Sequence, residues 1–143
     1  MKALILTALF AAPAIAQETN VALHISFDAA SASKLQESGE MVIVSSYFWG
    51  DPISGNVLPV NEIGQLYLGA EQATVWPNAQ TISIGHSLVG APVGNVIAPM
   101  VNVNVYSARL TSEDNLLDCG IVDGATDALS KSTQEITCKL IGG

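Results

Sequence analysis

The sequence predicts an all-β chain: a single-domain antiparallel β-sandwich of about seven or eight short strands, preceded by a cleavable signal peptide. Three observations carry this reading. Residues 100–110 alternate strictly, with Val101, Val103 and Val105 on one parity and Asn102, Asn104 and Tyr106 on the other. That is the pattern of a strand with one dry and one wet face. Short apolar runs separated by Gly, Pro, Asn and Asp recur along the chain, and no stretch of helix length shows a helical period.

The N-terminus comes first. Met1-Lys2 precedes an apolar run over 3–12, Pro13 breaks it, and Ala14-Ile15-Ala16 offers a small-x-small cleavage pattern before Gln17. The run is shorter than the roughly 20 apolar residues of a membrane span. Residues 1–16 are therefore the expected signal peptide, cut between Ala16 and Gln17, and residues 17–143 the expected β-sandwich domain. The short charged region before the run favours the periplasm, with secretion to the medium as the alternative. No later segment approaches spanning length, so no membrane span is expected after cleavage.

Within 17–143 the first strand is expected over 19–28, where Val21, Leu23, Ile25 and Phe27 alternate with His24 and Ser26. Residues 29–39 are small and polar and predict a loop, or one to two helical turns. Over 40–49 both parities are apolar, Met41, Ile43 and Tyr47 against Val42, Val44 and Phe48, which predicts a strand covered on both faces or lying at an interface. Gly50-Asp51-Pro52 ends it and opens a long turn-rich connection to Asn61. Leu66, Leu68 and Ala70 mark a short strand, 71–80 a crossing segment containing Trp76-Pro77-Asn78, and 81–85 another strand with Ile82 and Ile84 inward. Beyond the valine strand, 116–122 and 135–141 predict two more, around a loop with one helical turn at 127–131.

Cys119 and Cys138 are the two cysteines, each sharing the apolar parity of its strand. In an oxidising compartment they are expected to form a disulfide. It closes a loop of about 18 residues, worth about 3 kcal/mol by loop entropy.

Charge excludes some partners. The full chain carries five basic and thirteen acidic residues, for a net charge of −8. Such a surface repels phosphate backbones and anionic lipid, so no nucleic acid is expected.

The chemistry-bearing motifs are few. Gly85-His86-Ser87-Leu88-Val89-Gly90 follows a strand and resembles the nucleophile elbow of the α/β-hydrolase family, with Ser87 as the nucleophile. It departs at three points: Val89 stands where the second glycine belongs, Gly90 and Pro92 oppose a following helix, and no histidine follows His86. His24 is expected on the wet face and His86 half-buried; two histidines with oxidised cysteines fall short of a metal set, so no metal or cofactor is expected. Asp114, Asp118, Asp123 and Asp127 match no calcium loop. Tyr47-Phe48-Trp49 is less ordinary, because neighbouring strand residues face opposite ways and the three cannot share one core. Tyr47, Trp49 and Asp51, with Trp76, are the candidate binding residues, and Asn102, Asn104 and Tyr106 a candidate polar face.

The expectation is a non-catalytic module that binds an envelope protein or glycan. The alternatives are a small envelope hydrolase using Ser87 or a carboxylate pair, and a metal-binding carrier joining His24 and His86.

Overall fold

A computed structural model describes residue 8 and residues 20–143. The predicted signal peptide and its cleavage point, Ala16 and Gln17, lie outside the described residues. The described chain is mostly β, with two four-stranded sheets that enclose one core.

β1 (Val21–Phe27) buries Val21, Leu23 and Ile25 completely, as its alternation predicts. α1 (Ala29–Ser38) follows and is longer than the sequence suggested. Its apolar content is low, and its ends explain it. The Asp28 carboxylate accepts the Ser31 N–H at 2.8 Å, which caps the first turn. Gly39 takes a left-handed φ of 74°, and the next N–H, of Glu40, returns to the Leu35 carbonyl at 2.9 Å. Leu35 and Ser31 dock the helix; the Ser31 hydroxyl donates to the Cys138 carbonyl at 3.2 Å.

β2 (Val42–Gly50) is bounded by β3 (Leu66–Val75) and β5 (Met100–Ser107), both antiparallel. β7 (Val122–Ala125) completes this sheet, in the order β3-β2-β5-β7. The other sheet runs β4 (Gln80–Ile84), β1, β8 (Gln134–Leu140), β6 (Leu117–Cys119). α2 (Thr126–Leu129) is the single turn expected near 127–131. Val101, Val103 and Val105 lie in the core with Val42, Val44 and Phe48, facing Leu23, Ile25 and Ile136 of the other sheet.

The structure corrects five further expectations. The arrangement is not wholly antiparallel: β1 and β8 run parallel, with Leu23 opposite Gln134 and Phe27 opposite Cys138. β2 is not covered on both faces; its even-numbered residues from Val42 to Gly50 are buried, whereas Tyr47 is 39 % exposed. The presumed crossing segment 71–80 is mostly strand, because β3 continues to Val75 and crosses only at 76–79. Residues 116–122 are not one strand: the chain leaves β6 at Cys119, and Gly120-Ile121 carry it across to β7 in the other sheet. His86 is exposed rather than half-buried, because Gly85, at φ 120°, turns the chain out of strand parity into a 3-10 turn.

The predicted disulfide is present. Cys119 and Cys138 are directly opposed on β6 and β8, so the bond lies within one sheet.

The carboxylate of Glu40, 1 % exposed, fixes the loop after β5. One of its oxygens accepts the N–H groups of Met41 (3.1 Å) and Leu110 (3.0 Å). The other accepts the N–H (2.9 Å) and hydroxyl (2.7 Å) of Thr111. Burial alone would raise its pKa, but the four donors outweigh that and hold it below its ordinary 4.5. Its contribution is therefore full above the unfolded-chain value and is lost as pH falls through the lower, folded value.

Two outcomes follow for stability. Glu40→Gln turns an NH2 towards two donors, so it should cost about 2 kcal/mol at neutral pH and flatten the loss of stability below pH 4.5. Urea midpoints at neutral and acid pH check both effects. Replacing both cysteines with serine should lower stability by about 3 kcal/mol, read by the same titration.

Candidate functional site

Two places gather polar and aromatic side chains. The first is the outer face of the β2 sheet. Because paired residues on antiparallel strands share a face, register alone assembles it. Trp49 lies between Tyr67 on β3 and Met100 on β5; Tyr47 pairs with Ala70 and Asn102; Ser45 pairs with Gln72 and Asn104; Ile43 pairs with Thr74 and Tyr106. Asp123 on β7 continues the row of Tyr47 and Asn102.

A bulge places Tyr67 in this face. Between Phe48 and Trp49 the register slips by one residue, so that Leu68 and Gly69 together oppose Phe48. Leu66 and Leu68 then point inward, Tyr67 outward, and Gly69 bends the strand at φ 149°. An added Cβ at Gly69 would lie 3.0 Å from the Cβ of Ser87, so the close approach of the following loop also requires glycine. The Tyr47 and Tyr67 rings are 5.5 Å apart, tilted by 45°. Beside them Asn104 donates to Asn102 at 2.7 Å and Gln72 to the Tyr106 hydroxyl at 3.3 Å. The face thus has an aromatic end, an amide end and no lysine or arginine among its described residues.

The predicted binding residues separate accordingly. Tyr47 and Trp49 belong to this face, and Phe48 between them is fully buried. Asp51 is exposed just beyond β2, and its carbonyl accepts the Ile97 N–H at 2.8 Å. Trp76, 69 % exposed, does not join them. It follows Val75, which pairs with Val42 at the far end of β2, roughly 20 Å from Trp49 at strand rise. Tyr67 was missed, although Leu66 and Leu68 flank it with apolar parity and so direct it outward.

The second place is a cleft between the β3 and β4 edges, lined by Ser46, Glu71, Gln72, Ser83, His86 and Ser87 over Val44, Ala73 and Ile84. It brings a serine, a histidine and a carboxylate together, but not as a catalytic set. Glu71 accepts the Gly85 N–H and the Ser87 N–H, one on each oxygen, both at 2.8 Å. It therefore caps the 3-10 turn and occupies an N–H that an oxyanion would need. The Ser87 hydroxyl has no hydrogen-bond partner, so no base contacts it. His24 lies elsewhere, on β1, with its Nδ1 2.9 Å from the Thr81 hydroxyl. Among the described residues no three His, Cys, Asp or Glu side chains gather as metal ligands, those of the four aspartates included.

Comparisons with protein-family models, with curated proteins and with solved structures find no match to this chain.

With Ser87 lacking a base, Ser87→Ala should leave hydrolysis of p-nitrophenyl acetate at the rate of the unaltered protein. A spectrophotometric assay of the two proteins side by side checks this.

Proposed function

We propose that this protein is an exported, non-catalytic β-sandwich module that binds a neutral glycan of the cell envelope on the outer face of the β2 sheet. The observation that carries the reading is the cross-strand cluster of Trp49, Tyr47 and Tyr67 beside Asn102, Asn104 and Gln72. Aromatic rings offer apolar area to the C–H faces of sugar rings at little entropic cost. Carboxamides both donate and accept, which matches hydroxyl pairs. A rigid sheet holds both sets in place before the ligand arrives. The negative chain, and a face whose charged member is Asp123, favour neutral over acidic glycans.

Export rests on the apolar run and the Ala14-Ile15-Ala16 pattern, and the Cys119–Cys138 disulfide fits an oxidising compartment. The periplasm is the proposed location, with the medium second. Among the described residues no helix is long and apolar enough to cross a membrane.

A second reading, capture of an envelope protein, is favoured by a different observation. The loops over 51–65 and 86–99 are tied by the Pro52–Val96 bridge and expose Val57 (91 %), Ile63 (76 %) and Ile97 (75 %). Exposed aliphatic side chains on adjoining loops suit a protein interface better than a sugar.

The readings separate by mutation. On an array of neutral envelope glycans, Trp49→Ala and Tyr67→Ala should each weaken binding by about tenfold or more while the melting temperature changes little. Glycan binding that survives both changes would remove the first reading. A partner lost only on Val57→Asp or Ile97→Asp would install the second.

A further inference from the structure

We infer that the cleft between the β3 and β4 edges is a binding site for a small uncharged polyol, about the size of one sugar ring. Its volume is about 490 Å3, within the range of ordinary small-ligand pockets. Ser46 lies on an inward position of β2, between Val44 and Phe48, where parity asks for an apolar side chain. It is 1 % exposed and its hydroxyl has no hydrogen-bond partner; the buried hydroxyl of Ser87, in the same cleft, has none either. Native folds rarely leave a buried hydroxyl unpaired, and two around one cavity point to a guest that pairs them.

The lining selects the guest. Serine hydroxyls both donate and accept, so the complementary group is another hydroxyl. The Glu71 oxygens each hold one backbone N–H, which leaves lone pairs for a donor on the guest. The cleft lining contains no lysine or arginine among the described residues, and Glu71 is an acid, so phosphates and carboxylates are disfavoured. Val44, Ala73 and Ile84 supply apolar contact for C–H groups. Both hydroxyls are closed to solvent in this structure, so pairing them with a guest requires each serine to turn about χ1 into the cleft. The cleft lies on the inner side of β3, opposite the aromatic face, and the inference does not rest on the function proposed above.

Heteronuclear NMR of the purified protein, titrated with millimolar glycerol, glucose or N-acetylglucosamine, tests the site. The expected result is a saturable shift of the Ser46, Glu71 and Ser87 amides with at least one probe. It should weaken at least about tenfold in Ser46→Ala and in the cleft-filling Ala73→Leu, and persist in Trp49→Ala. Ser46→Ala should melt no lower than the unaltered protein, because it deletes an unpaired hydroxyl. No saturable shift at these amides, or a shift that survives both cleft variants, would overturn the inference and leave the serines to water.

Discussion

A strand residue can face the core or the open side, but not both. That two-residue period organises the whole molecule. Once Val101, Val103 and Val105 enter the core with Val42, Val44 and Phe48, the register of β2 with β5 is fixed, because a slip of one residue would turn the three apolar side chains of one strand outward. The same step fixes which residues are left outside. Tyr47, Trp49, Asn102 and Asn104 share a surface because their neighbours are needed within. The candidate binding face is thus the complement of the core, and the two cannot be altered independently.

Much of this was legible from the chain. The valine strand and β1 announce themselves by alternation, and the cysteine parity identified the disulfide. What was not legible depends on events between elements. Nothing within Leu23–Phe27 or 134–138 says that the two segments run parallel; that follows from where the intervening strands go. The split of 116–122 into β6 and β7 turns on Gly120-Ile121, an ordinary pair in sequence. α1 escaped because its caps, Asp28 and Gly39, define it more than any apolar stripe does. The bulge at Leu68–Gly69 reverses parity midway along β3, so the alternation that identified its first half disguised its second. Trp76 stands with Trp49 among the aromatic candidates in sequence, and only the register separates them. At the candidate site, Tyr47 and Trp49 were found from aromatic crowding; Tyr67 needed the parity of its leucine neighbours, and Ser46 needed the register that sets it opposite Glu71.

Glu71 also serves the edge of the sheet. β3 ends its sheet, and a ten-residue edge strand invites pairing with another chain. An inward-facing carboxylate and a bulge are two known ways to spoil such pairing, and β3 has both. The carboxylate is accommodated because the 3-10 turn offers it two N–H donors. Glu40 follows the same rule at the other end of β2, where four donors make a buried charge tolerable and pin a loop. In both cases an acid placed against the core is matched by neutral N–H and O–H donors rather than by a cation.

The adjacency of β1 and β8 has a consequence in time. β1 is flanked by β4 on one side and β8 on the other, and β8 alone links β1 to β6. A chain emerging from its N-terminus therefore cannot finish this sheet until residues 134–140 are free, and the sulfur bond that joins β6 to β8 must wait as well. Order of synthesis and order of assembly are thereby uncoupled. The pairs that complete this sheet are thus among the longest-range in the sequence, and long-range pairing of this kind is slow to form.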